Sequence, residues 1–360
     1  KIIQKIHKKR KTRFKDEDSQ AIIGTIERIF DGDVTLVYEL VQNAFDSKAS
    51  KIKISIENES LLFYHDGGRF SEADVKAISF VNYSKKDRNY VGFMGIGFKS
   101  VFQVTDNPKI YCPPFNFEFE KINDDSEGMT LPKVIDKVEI ENAYTTLIEL
   151  PIKNEHTLNK IREELNPKRQ GNLKFSKKTF LHLVREEDGV IKGIQDIETP
   201  HSTFSIRKSS QNGIYSVETE NDKESERWLK IEYNFESDKE ARKNFFEKRK
   251  EKNRQSDIDS GWRESTSLLI KIQSKELRPN TAFKGKINAY LPTNILFSEP
   301  FDLQGNFLID ASRKDLKDSY GSWNTLLFST LAPLFSKLLL WAKDNCTVEN
   351  IGSFFGLIPR

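Results

Sequence analysis

The stretch YELVQNAFDSKAS, residues 38–50, runs straight into two strand-like segments, and this junction limits the fold more than any other part of the chain. Val37, Leu40, Val41 and Ala44 recur at helical spacing and predict one apolar stripe. Glu39, Asn43 and Asp46 stand at i, i+4 and i+7, so they line a second narrow face. Such a face is either the solvated side of a buried helix or a metal-and-water site on a rigid support. The helix by itself leaves both open.

KIKISIEN from Lys51 and SLLFYHD from Ser60 predict two strands, and EADVKAISF from Glu72 a short helix. IIGTIERIF from Ile22 and the opening segment read as amphipathic helices. Another opens at Gly97 in GFKSVFQVTD, before strands at PKIYC and TTLIELPI. Helices and strands in mixed order predict an α+β fold, a layered sandwich, for a first domain over 1–168. NPKRQGN, residues 166–172, reads as a linker to a second α/β domain over 173–360. That domain holds a meander of short strands, then TSLLIKI, KGKINAYLP and GNFLIDASRKDL, then a terminal helix. The mixed-charge run from Ser237, about residues 237–258, reads as an exposed, partly helical insertion.

A chain of 360 residues with 37% hydrophobic content supports packed domains, two more comfortably than one. The net charge of +3 is too near balance to argue for nucleic acid from the total. Two cysteines, far apart at Cys112 and Cys346, predict neither a disulfide framework nor a zinc site. A reducing cytoplasmic compartment is the expectation. LLFSTLAPLFSKLLLWAKD from Leu326 carries Pro333 and Lys337, so it reads as a packed helix with no membrane partner.

Two further motifs bear on the polar helix face. FYHDGGRF sets Asp66 before Gly67 and Gly68. It is a turn in the plain reading. In the functional reading it is a carboxylate for an exocyclic amine, with glycines that let a flat base approach. His65 beside it reads as structural. VGFMGIGFKS carries Gly92, Gly95 and Gly97 ahead of a helix, a pattern that can face backbone N–H groups toward an anion. Phe98 between Gly97 and Lys99 breaks the Walker A spacing, and the glycine order is not that of a dinucleotide fold.

In this order, E-x-x-x-N-x-x-D, D-x-G and G-x-x-G-x-G resemble the Bergerat ATP-binding fold of gyrase, the 90-kDa heat-shock chaperone, histidine kinases and MutL proteins. The wording of ELVQNAFDSKA, DGGRFSEADV and GFMGIGFKSVFQVTDNPKIY is most similar to the sacsin-type, chaperone-related branch. The resemblance covers about residues 20–155 and extends more loosely through INAYLPTNILFSEPFDLQGNFLIDASRKDL. It implies a Mg²⁺-dependent ATPase built as a two-layer α/β sandwich with a transducer-like second domain. Under it Glu39 is the general base, Asn43 the magnesium ligand, and Asp46 a support near the nucleotide. Asp66, beside Gly68, takes the adenine amino group, with Thr146 nearby. Gly92, Gly95 and Gly97 present N–H groups to the phosphates, with Lys99 as an extra charge, and Ser84 and Lys85 belong to a lid. Arg313 supplies a cation at the γ-phosphate, with Lys314 in reserve. Phe70 stands where the family's second motif usually has another glycine.

The function so implied is a slowly hydrolysing, ATP-driven conformational switch with ATP-dependent homodimerisation. It would act on a protein client as a chaperone does, or drive a linked effector domain, anti-phage defence included. The alternative is a DNA-handling ATPase module of the mismatch-repair or topoisomerase kind, which the basic KKRKTRFK from Lys8 favours and the near-neutral total charge does not. Glu39 weighs against a pure nucleotide-binding module.

Overall fold

The structure, a computed structural model, describes residues 2–11, 36–79, 97–121, 127–166, 181, 184–187, 190–209, 213–219, 226–249, 255–260, 262–273, 277–289, 293, 295–310 and 315–358. The chain divides into unit 1, Lys1–Ser176 with Leu183–Phe204, and unit 2, Lys177–His182 with Ser205–Arg360. Each is mixed α+β around a mostly antiparallel sheet.

In unit 1, helix α1 (Ile2–Lys11) packs on β5 and on α3 (Glu72–Ser79), and α2 (Leu36–Asp46) packs on a 3-10 turn at Gly97–Gln103. The sheet order is β9-β1-β2-β6-β3-β4-β5. Its strands are β1 (Lys51–Glu57), β2 (Ser60–His65), β3 (Lys109–Cys112), β4 (Phe115–Glu118), β5 (Lys133–Val134), β6 (Thr146–Pro151) and β9 (Asp196–Glu198). Asn58 and Glu59, both at positive φ (47° and 61°), close the β1–β2 hairpin. Two left-handed residues suit the right-handed strand twist. Directly opposed residues share a sheet face. The register therefore sets Ile52, Ile54, Phe63, His65, Thr146, Ile148 and Ile110 on one side. Tyr64, Tyr111 and Leu147 lie on the other, beneath Ile135, Ile140 and Tyr144.

The first domain was expected to end at 166–172, most of which lies outside the described residues. β9 still belongs to unit 1, because it pairs in parallel with β1 and the Gln195 N–H donates to Ser50 O. The amphipathic segment from Ile22 also falls outside. β7 (Arg185–Glu187) and β8 (Val190–Lys192) form a small antiparallel hairpin of their own.

Unit 2 has the sheet order β14-β15-β13-β12-β11-β10. These are β10 (Thr203–Lys208), β11 (Ile214–Thr219), β12 (Glu226–Ser237), β13 (Trp262–Ile272), β14 (Ile287–Asn288) and β15 (Asp302–Gln304). The long β12–β13 ladder runs from Arg227↔Ile272 to Ser237↔Trp262. The charged segment after Ser237 is partly helical and only partly exposed. It forms α4's successor α5 (Lys239–Lys248), after α4 (Glu155–Leu165) of unit 1, and α5 is capped by Asp238 accepting from Ala241 N. Its charge masks a buried stripe: Ala241, Arg242, Phe245 and Phe246 turn inward. The two phenylalanines pack with Trp262 and Trp323 at centroid separations of 4.5–5.4 Å. After α6 (Gln255–Asp259), the chain ends in α7 (Ser322–Ser329), α8 (Leu331–Asn345) and α9 (Val348–Phe355). Ser322–Asn345 has the length and composition to cross a bilayer. Here it breaks at Thr330, whose hydroxyl meets that of Thr266, and α8 packs on β12 and α9.

Candidate functional site

Helix α2 is buried around most of its girth, at Leu36, Val37, Tyr38, Leu40, Val41, Gln42 and Ala44. Glu39 and Asn43, one turn apart, are half-buried, whereas Asp46 is buried at 9% exposure. Asp46 is thus more enclosed than a solvated face would have it. The helix ends in a Schellman turn: Ala49 N–H bonds Ala44 O at 3.0 Å, Lys48 N–H bonds Phe45 O at 2.9 Å, and Lys48 is left-handed at φ 65°. That turn delivers residues 47–50 to the open end of the β1–β2 hairpin.

There the chain meets the Asp66–Gly68 turn. Asp66 Oδ1 accepts from Ser50 N at 2.7 Å and Lys51 N at 2.8 Å, and Oδ2 accepts from Ser50 Oγ at 2.6 Å. Gly68 N–H donates to Ser47 O at 2.7 Å. A Cβ on Gly67 would lie 2.2 Å from Ser47 Oγ and 2.8 Å from Ser47 O, so only glycine lets the turn close onto the helix end. His65 Nδ1 accepts from Gly67 N–H at 3.1 Å. An N–H donor there requires a lone pair on Nδ1, which puts the imidazole proton on Nε2. Burial pushes the His65 pKa down to about 4, against a smaller upward pull from Asp66. His65 is therefore a neutral brace.

Strand β6 closes the other side. Thr145 Oγ1 donates to Gly67 O at 2.5 Å, and Thr145 N–H to His65 O at 3.0 Å. Thr146, buried and opposite His65 in the ladder, donates to Cys112 Sγ at 3.1 Å, and the same sulfur receives Phe70 N–H at 3.2 Å. Asp66, Gly68 and Thr146 are thus brought to one group of strand ends, with α2 bolted to them through Ser47 and Ser50. The sequence assigned no site role to Ser47, Ser50, Thr145 or Cys112. None carries a periodic or motif signal, because each acts through a partner remote in sequence.

Lys99 is buried. It is 2% exposed, donates to Met129 O at 2.5 Å, and holds Nζ 4.4 Å from the Phe119 ring centroid and 5.7 Å from that of Phe102. Its charge is directed into the packed interior. Gly97 opens the 3-10 turn that Lys99 belongs to. Gly92, Gly95, Ser84, Lys85, Arg313 and Lys314 lie outside the described residues. No group of three or more His, Cys, Asp or Glu set to hold a metal occurs among the described residues.

No protein-family profile matches the chain. It is 26% identical over 376 residues to Protein NO VEIN of Arabidopsis thaliana, across 92% of this chain but 12% of that protein. The chain thus spans a small part of that relative. Among solved structures it is similar to the N-terminal domain of a DNA repair protein, at 14% identity and a TM-score of 0.40, over 88% of this chain and 98% of the other.

Proposed function

We propose that this chain is a Bergerat-type, Mg²⁺-dependent ATP-binding switch that hydrolyses ATP slowly. The observation that carries the reading is the union of its first two motifs: the helix bearing Glu39 and Asn43 is tied by its C-terminal turn to the Asp66–Gly68 turn. Base recognition and phosphate chemistry need such a fixed relation, since phosphoryl transfer depends on positioning more than on covalent catalysis.

The donor set fits the groups implied. An amide oxygen at Asn43 is a hard ligand suited to Mg²⁺, which keeps much of its hydration and shares phosphate oxygens. When bound, that ion neutralises phosphate charge. Glu39, half-buried one turn away, orients a water and accepts its proton. Asp66 offers an acceptor to the base. Arg313 is the proposed cation for charge on the γ-phosphate. A client protein, a linked effector domain and an ATP-dependent second copy are the proposed partners.

Magnesium-dependent binding and turnover of ATP test this. Glu39→Ala should bind ATP yet lose at least about a hundredfold in kcat, Asp66→Asn should lose binding, and Arg313→Ala should lose turnover alone. A wild-type chain that binds no adenine nucleotide overturns the proposal. The DNA-handling alternative draws on α1, where Ile3 and Ile6 are buried and Lys5 and Lys8 are exposed. It requires DNA affinity that falls steeply with salt.

A further inference from the structure

We infer that Ser50 is the positioning residue of this site: its hydroxyl holds the Asp66 carboxylate so that one acceptor, on Oδ2, is left to select a 6-aminopurine nucleotide. This deepens and rests on the nucleotide reading above. Each carboxylate oxygen accepts in two directions. Both directions of Oδ1 are taken, by the N–H groups of Ser50 and Lys51. Ser50 Oγ takes one direction of Oδ2, and among the described residues no second bond reaches that oxygen.

The consequence is chemical. A carboxylate with one open lone pair favours a donor, such as the 6-amino group of adenine. A 6-oxo group in the same place sets lone pair against lone pair. The two backbone N–H bonds anchor the carboxylate through Oδ1 only, which leaves rotation about that anchor to be stopped by the Ser50 hydroxyl. Ser50 is half-buried at the point where the Schellman turn enters β1, and Gln195 and Asp196 N–H both donate to its carbonyl. Its backbone is held from two sides, so loss of the hydroxyl frees the carboxylate without freeing the loop. Thr146 cannot substitute, because its hydroxyl is directed at Cys112 Sγ.

The test compares ADP with its analogue lacking the 6-amino group, by calorimetric titration of wild type, Ser50→Ala and Ser50→Thr. Thermal unfolding of each variant is followed alongside. Wild type should prefer ADP by about ten- to a hundredfold, the scale of a hydrogen bond to a charged acceptor. In Ser50→Ala this preference should fall by about tenfold, and in Ser50→Thr it should return. If Ser50→Ala does not fold, Ser50→Val against Ser50→Thr makes the same comparison at nearly equal shape. A preference unchanged in Ser50→Ala or Ser50→Val overturns the role of Ser50 while ATP binding stands. So does a wild type that binds ADP and the analogue equally. A wild type that binds neither overturns the nucleotide reading, and this inference with it.

Discussion

In unit 1 the strand ends around Asp66 are held by short polar bonds, from Ser50 to Asp66, Gly68 to Ser47 and Thr145 to Gly67. In unit 2 the segment after Ser237 is held by four large aromatic rings, Phe245, Phe246, Trp262 and Trp323. The polar bracket gains little net free energy per bond but fixes direction, which a site that reads hydrogen-bonding patterns requires. The aromatic cluster gains mainly from area removed from water and from ring geometry, with Trp323 Nε1–H donating to Asn306 O at 2.8 Å. Unit 2 does contain directional bonds, as where Asn324 accepts from Leu308 N and donates to Leu308 O. These fasten a loop to a helix in the buried interior.

The sharpest way to break this contrast is Trp262→Ala. Trp262 is 1% exposed, and deleting it should cost about 3–5 kcal/mol of unit 2 stability in denaturant unfolding. A loss under about 1 kcal/mol would mean that the cluster repacks and that aromatic burial is not what holds α5.

Next comes acid. His65 has its folded pKa lowered to about 4 from 6.5, so between those values the unfolded chain binds more protons than the folded one. Its contribution is fully present above pH 6.5 and is lost as pH falls toward 4. The loss amounts to about 3 kcal/mol across the window. Urea unfolding at pH 7 and pH 4.5 should show it for wild type. His65→Asn, which keeps an acceptor for Gly67 N–H, should show a flatter pH dependence. Equal slopes for the two proteins would remove His65 as the brace of the bracket.

The smallest of these effects is Gly67→Ala. The added Cβ presses on Ser47 Oγ and on the Ser47 backbone. A cost of about 1–3 kcal/mol is expected, together with weaker nucleotide binding as the turn moves off the helix end. A variant as stable as wild type and unchanged in ADP affinity would show that the turn and α2 need not stay in register.

Local pattern sufficed wherever one segment settles its own conformation. The apolar stripe of α2, the strands KIKISIE and SLLFYH and the helix EADVKAIS all formed close to their expected bounds. Their side-chain periodicity is short-range information carried by neighbouring residues. The order of the motifs, and the glycines beside Asp66, are likewise written in the chain. What only tertiary structure decided was where polar groups point. Lys99 is two residues past Gly97, but the rings of Phe102 and Phe119 and the Met129 carbonyl turn it inward. The run EARKNFFEK reads as solvated by its charge, yet its two phenylalanines find two tryptophans far along the chain. β9 joins β1 across well over a hundred residues, and Ser50 meets Asp66 only because the hairpin returns the chain to its starting point. Such partners are set by closure of the sheet and packing of the core, which couple positions distant in sequence and leave no local mark on either.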